Sequence, residues 1–198
     1  MILPNQLTVL RIILTPIFLI FFLIGEPWAV QLSLLIFLLA AITDWYDGWL
    51  ARKFNYITEW GKFMDPLADK ILTSTAFIGF VIIGILPLWM VILVTVRDLI
   101  VTLLRAYADY KKVSFITSYS AKVKTFMQMI FLYYLLLVYT LSTFGEVYQS
   151  YKPIFEILMN TNAIYFIMLV LTLFTLVTGV TYIISNKVLV KKIFTHEN

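Results

Sequence analysis

Long apolar runs separated by short polar ones divide this chain into six stretches, at 7–24, 28–50, 62–83, 88–108, 121–141 and 163–185. Each is close to the ~20 residues that an α-helix needs to cross a bilayer's hydrocarbon core. Gly25-Glu26-Pro27 separates the first two, and Gly84 to Pro87 separates the third from the fourth. Pro66 is expected in the first turn of the third helix, where a missing N–H costs least. Residues 143–160 alternate less regularly and predict a short amphipathic helix at the membrane surface. No internal repeat is visible. The pattern predicts an all-α integral membrane protein of six transmembrane helices, a single domain over 1–198.

Composition agrees. The chain is 62% hydrophobic and only 13% charged, with a mean hydropathy of +0.93, whereas soluble domains are about half apolar and about a quarter charged. There are no cysteines, so disulfides and thiolate metal sites are excluded. The single His196 lies in a polar tail, which argues against histidine catalysis. Residues 1–5 lack a basic region and no small-residue cleavage site follows the first run, so no removable leader is expected.

The net charge of +4 matters less than its placement. With six spans, the loops at 51–62 and 109–122 share one side with both termini. That side holds Arg52, Lys53, Lys62, Lys70, Lys111, Lys112, Lys122, Lys124, Lys187, Lys191 and Lys192. The other side offers Lys152 against Glu26, Glu146 and Glu156. Lys and Arg accumulate on the cytoplasmic face, so both termini and these loops are expected in the cytoplasm. A multi-pass protein of a bacterial cell membrane follows, with membrane lipids around it and a tail touching anionic headgroups. No nucleic-acid partner is expected.

One stretch carries chemistry. Asp44, Asp47, Gly48 and Ala51 fall at i, i+3, i+4 and i+7, on one helix face, and Gly61, Asp65 and Asp69 repeat the stripe at i, i+4 and i+8. If the chain bends between them, four carboxylates surround one cavity. Such groups repel unless cations separate them, and hard oxygen donors suit Mg²⁺, Mn²⁺ or Ca²⁺. The stretch predicts a divalent-metal site holding two ions. The alternatives are solvated interfacial carboxylates, or a proton relay in a small transporter.

Charges within the spans need partners. Arg97-Asp98 suits a structural ion pair between helices. Arg105, two turns beyond Arg97, joins Lys122 and Lys124 in a basic pocket able to hold a phosphate near the carboxylates. The plain alternative for the two lysines is cytoplasmic charge bias. Asn5, Thr8 and Arg11 share a face of the first helix and line the same cavity in this reading, unless Arg11 merely reaches the interface.

The spacing D-x2-D-G-x2-A-R-x8-G-x3-D-x3-D over 44–69 resembles the signature of the CDP-alcohol phosphotransferase family, with every specified position filled. A looser likeness covers Asn5-x-x-Thr8-x-x-Arg11, Arg97-Asp98, Arg105, Lys111, Ser120 to Thr125 and Gln128, and it resembles the bacterial subgroup that uses a glycerol phosphate acceptor. That subgroup usually has Glu and Gly where Asp98 and Ala121 stand. The resemblance implies a six-helix fold, commonly a homodimer, using Mg²⁺ or Mn²⁺. It implies the reaction of CDP-diacylglycerol with sn-glycerol 3-phosphate to give phosphatidylglycerophosphate and CMP. Asp44, Asp47 and Asp65 would hold the metals, and Asp69 would share them and act as general base. Gly48, Ala51 and Gly61 would admit the nucleotide, Arg52 would contact a donor phosphate, and Arg105, Lys122, Lys124, Arg11, Thr8 and Asn5 would serve the acceptor phosphate. Relatives using inositol phosphate, serine or phosphatidylglycerol are the alternatives within the family. A metal or solute transporter is the alternative outside it, but its site would lie nearer the midplane.

Overall fold

The computed structural model describes residues 3–54, 59–110 and 119–187, and the described residues are helical apart from short turns. Six long helices appear: α1 (Leu3–Ile24), α2 (Pro27–Phe54), α3 (Glu59–Ile82), α4 (Leu88–Tyr110), α5 (Tyr119–Ser142) and α8 (Thr161–Ser185). Two short ones, α6 (Gly145–Ser150) and α7 (Lys152–Leu158), fill the 143–160 stretch. The single interfacial helix expected there is therefore two. Pro153 marks the break, because it stands in the first turn of α7, where its missing N–H does no harm and its fixed φ favours a new helix start.

The helix ends follow local chemistry. After α3, Gly84 takes φ +79°, a left-handed backbone that a side chain would strain. The Ile85 N–H then bonds to Phe80 O at 2.9 Å and the Gly84 N–H to Val81 O at 3.0 Å. This is the paired closure that satisfies the last carbonyls of a helix. At the start of α8, the Asn160 side chain accepts from the Ala163 N–H at 3.0 Å. Pro66 is a correction. The third helix starts at Glu59, so this proline lies inside it rather than in its first turn.

Neighbouring helices close a ring: α1 touches α2 and α3, α3 touches α4, α4 touches α8, α8 touches α5, and α5 returns to α2. The core inside is aromatic. Phe18, Phe22, Phe37 and Phe80 are fully buried, with Phe18–Phe37 ring centroids 5.3 Å apart and Phe22–Phe80 5.1 Å apart, edge to face. The outside is apolar as well. Ile20, Ile42, Ile82, Phe166, Val177 and Ile184 all stand exposed. Such a rim is far more apolar than a soluble monomer shows.

Among the described residues four stretches are long and apolar enough to cross a membrane: Asn5–Ile24, Pro27–Leu50, Tyr119–Ser142 and Lys152–Ser185. The helices α3 and α4 match them in length but carry more charge, with Asp65, Asp69 and Lys70 on one and Arg97, Asp98 and Arg105 on the other. Those charges are where the chemistry lies.

Candidate active site

The N-terminal turns of α1, α3 and α5 and the C-terminal turns of α2, α4 and α8 gather at one end of the ring. Three of the four motif aspartates can be followed there. Asp44 on α2 feels the carboxylates of Asp65 and Asp69 on α3, together with the cations Arg11 and Lys70. Asp44 is 42% exposed and Asp69 33% exposed. Asp47, Ala51 and Arg52 lie on α2, but their side chains fall outside the described part of the structure. Gly61 is buried and Gly48 half-buried.

The first helix braces two of these carboxylates. Arg11 Nη1 lies 2.5 Å from Asp44 Oδ1, and the Thr8 hydroxyl donates to Asp65 Oδ1 at 2.5 Å. Thr8 and Arg11 are three residues apart on one face of α1, and both are fully buried. The Thr8 hydrogen bond, to a charged acceptor, fixes the direction of the Asp65 carboxylate, and the Arg11 guanidinium supplies Asp44 with a counter-charge. Thr8 and Arg11 therefore stand on the aspartates rather than on a separate phosphate pocket. Asn5, half-buried, lies one turn nearer the helix start.

Beside the carboxylates lies a cavity of about 700 Å³. Its wall includes Pro66, Asp69 and Lys70 of α3, Arg97, Asp98 and Arg105 of α4, Lys122 of α5 and Tyr182 of α8. Four cations and two carboxylates thus face the same space. Lys70 Nζ sits 3.1 Å from Asp69 Oδ2. Arg105 and Lys122, predicted for a phosphate, do meet here. Lys124 does not join them. It is fully buried and ion-paired with Asp98. Asp98 also receives Arg97 Nη1 at 3.1 Å, and Arg97 Nη2 reaches Thr178 Oγ1 at 3.2 Å. The ion pair expected of Arg97-Asp98 is thus a three-helix network joining α4, α5 and α8.

Lys70, Thr178 and Tyr182 were not among the predicted site residues. Lys70 had a signal, since it follows Asp69 directly. The other two belong to a stripe of threonines and a tyrosine on the buried face of α8, a pattern that packing alone also produces.

The donor set at this end of the ring is uniform. It consists of carboxylate oxygens, the chemistry of a Mg²⁺ or Mn²⁺ site. Among the described residues no three such groups stand close enough to hold one ion. The side chain of the fourth aspartate, Asp47, lies outside the described residues. The donor chemistry fits such an ion.

Long apolar helices around neighbouring carboxylates and a cationic cavity define a membrane-type protein with a charged site at one end. The chain belongs to the CDP-alcohol phosphatidyltransferase family, whose model matches residues 1–178. It is similar to the CDP-diacylglycerol–glycerol-3-phosphate 3-phosphatidyltransferase of Rickettsia felis, 44% identical over 140 residues, covering 68% of this chain and 75% of that one. The enzyme of the same name from Bacillus subtilis is 40% identical over 140 residues, covering 65% of this chain and 72% of the relative. That of Salmonella typhimurium is 40% identical over 139 residues, with coverage of 67% and 75%. Membership of this family sets aside the transporter alternative.

Proposed function

We propose that this protein transfers the phosphatidyl group of CDP-diacylglycerol to sn-glycerol 3-phosphate, releasing CMP. The observation that carries the choice of acceptor is the cavity, in which Arg105 and Lys122 face Asp69 across one space. A phosphorylated acceptor needs a carboxylate near its hydroxyl and cations near its phosphate. Serine needs no such cations, and a neutral lipid hydroxyl needs no such depth.

In this reading Arg105 and Lys122 hold the acceptor phosphate and turn its hydroxyl toward Asp69. The hydroxyl oxygen forms a bond to the donor's lipid-side phosphorus as the bond from that phosphorus to the CMP oxygen breaks. The hydroxyl proton passes to the Asp69 carboxylate, and CMP leaves as the phosphate anion. A carboxylate is a weak base for an alcohol, so Asp69 acts by accepting the proton as the new bond forms. Arg11 and Thr8 keep Asp44 and Asp65 aimed at the donor. Gly48, Ala51 and Gly61 leave room for the nucleotide, and Arg52 steadies a donor phosphate. Asp44, Asp47, Asp65 and Asp69 would hold Mg²⁺ or Mn²⁺, whose chemistry there is to neutralise the pyrophosphate and the charge developing on CMP.

The proposal includes six membrane spans, with α3 and α4 joining the four apolar ones, and a homodimer as the working unit. It also places the site in the cytoplasm, on the Lys and Arg bias. A cysteine at Ser150 should then react with an impermeant thiol reagent in intact cells, and protection there would reverse the orientation.

An acceptor screen tests the function. Purified protein with CDP-diacylglycerol and Mg²⁺ or Mn²⁺ is offered glycerol 3-phosphate, inositol phosphate, serine or phosphatidylglycerol, and CMP release is followed. Turnover should be fastest with glycerol 3-phosphate. Preference for any other acceptor would overturn the assignment.

A further inference from the structure

The last long helix, α8, reaches the cationic wall at Arg97. On α8, Gly179 lies directly against Arg97 of α4. A Cβ built on Gly179 would stand 2.9 Å from Arg97 Cγ and 3.1 Å from its Nε. Cγ is near the root of the arginine side chain, so a flick of the guanidinium would not relieve the clash. The whole side chain would have to leave its rotamer. One residue earlier, Thr178 Oγ1 accepts from Arg97 Nη2 at 3.2 Å.

Arg97 depends on these two contacts more than its pairing with Asp98 implies. Asp98 is shared, since the fully buried Lys124 is ion-paired with the same Oδ1 that receives Arg97 Nη1. Two cations on one carboxylate leave a net positive charge beneath the cavity. Arg97 Nε is buried and has no hydrogen-bond partner among the described residues. The guanidinium is therefore held by half a carboxylate, one threonine hydroxyl and the space left by a glycine. Each of these but the first comes from α8.

We infer that Thr178 and Gly179 are positioning residues that hold Arg97 in the cavity wall, where its charge selects a phosphorylated acceptor. The inference rests on the reading of the cavity as the acceptor site. Arg97 is one helical turn pair from Arg105 on α4, and both line the cavity. An acceptor phosphate between them meets two forked donors, whose geometry suits phosphate oxygens. Removing the α8 contacts would leave the carboxylate end untouched, so the donor lipid should not notice.

The test compares Gly179→Ala, Thr178→Val and Thr178→Ser with the unaltered protein. Gly179→Ala should raise the KM for glycerol 3-phosphate roughly tenfold or more, as loss of one charge-assisted bond does. The KM for CDP-diacylglycerol should stay within about twofold, the scatter expected of an uninvolved site. Thr178→Val should raise the acceptor KM by a smaller factor and Thr178→Ser should restore it. Equal changes in both KM values, or a fall in kcat alone, would mean that these residues only pack α8 and would overturn the inference.

A second readout does not depend on turnover. Inorganic phosphate should raise the melting temperature of the unaltered protein, and Gly179→Ala should need about tenfold more phosphate for the same shift. If phosphate stabilises both equally, the positioning role is wrong. If it stabilises neither, the cavity does not bind phosphate and the inference fails with it. Failure of the unaltered protein to use glycerol 3-phosphate in the acceptor screen would instead strike the functional reading, while the phosphate shift still judges α8. Should Gly179→Ala fail to fold, the Thr178 pair decides alone.

Discussion

Two carboxylate centres stand at the same end of this bundle, and they are built on opposite plans. Asp44, Asp65 and Asp69 form a group that remains part-open, with Asp44 42% exposed. They outnumber the described cations beside them, Arg11 and Lys70. Asp98 is 5% exposed and is itself outnumbered, by Arg97 and Lys124. Charge left over in an open place invites an exchangeable ligand. Charge that is buried must be neutralised by the protein, because an unpaired ion in the interior costs several kcal/mol. Among the described residues the first centre carries more carboxylates than cations. The second has nearly closed its own account and leaves only a modest positive excess toward the cavity.

The largest effect should come from the open centre. Asp44→Asn, Asp47→Asn and Asp65→Asn should each bring CMP release to background, with folding unchanged by circular dichroism. Asp69→Asn should lose on the order of 10²–10⁴-fold in kcat, the usual worth of a positioned base. Near-normal turnover in any two of the first three would erase the distinction between the two centres.

The closed centre should respond in stability. Asp98→Asn strands Lys124 in the interior with no counter-charge, and breaking a buried pair in this way costs about 3–5 kcal/mol. Unfolding in detergent should show it as a large drop in melting temperature. Lys152→Ala is the control. Its pairing with Glu156 spans 4.0 Å between groups more than half exposed, and such surface pairs contribute at most about 1 kcal/mol. Equal stability of the Asp98 variant and the control would show that the network is not buried as described.

The smallest effect belongs to the cavity between the centres. Arg105→Ala and Lys122→Ala should raise the KM for glycerol 3-phosphate by about 10-fold to 100-fold and leave that for CDP-diacylglycerol alone. If only the lipid donor weakens, these cations serve its pyrophosphate instead.

How much of this could be read from the sequence depends on spacing. Asp44, Asp65 and Asp69 were legible because helical periodicity places carboxylates on a face, and few other arrangements explain such a stripe. The long helices were legible from their apolar runs, although the charges of α3 and α4 blur both as spans. Lys124 was misread with Lys122 because both are basic and close in sequence. Two residues turn a helix by about 200°, so neighbours at that spacing point to opposite sides. One faces the cavity and the other the interior. Pro66 misled because a first-turn proline is the common case, yet α3 starts earlier and carries it inside. Thr178, Gly179 and Tyr182 could not be found. Thr172, Thr175, Thr178 and Tyr182 do share the buried face of α8, but threonines in an apolar helix commonly bond their own backbone, so the stripe does not by itself point to a site.

The ring order has a consequence for biosynthesis. The α8 helix closes the circle between α4 and α5, although about forty residues of chain separate it from the start of α5. A growing polypeptide therefore has its acidic motif in the membrane early, after α3, but its cavity lacks one wall until α8 has been made. The two halves of the site are joined by a segment that leaves the ribosome well after both. A chain stalled before that point carries the carboxylates without the cavity in which an acceptor would be held.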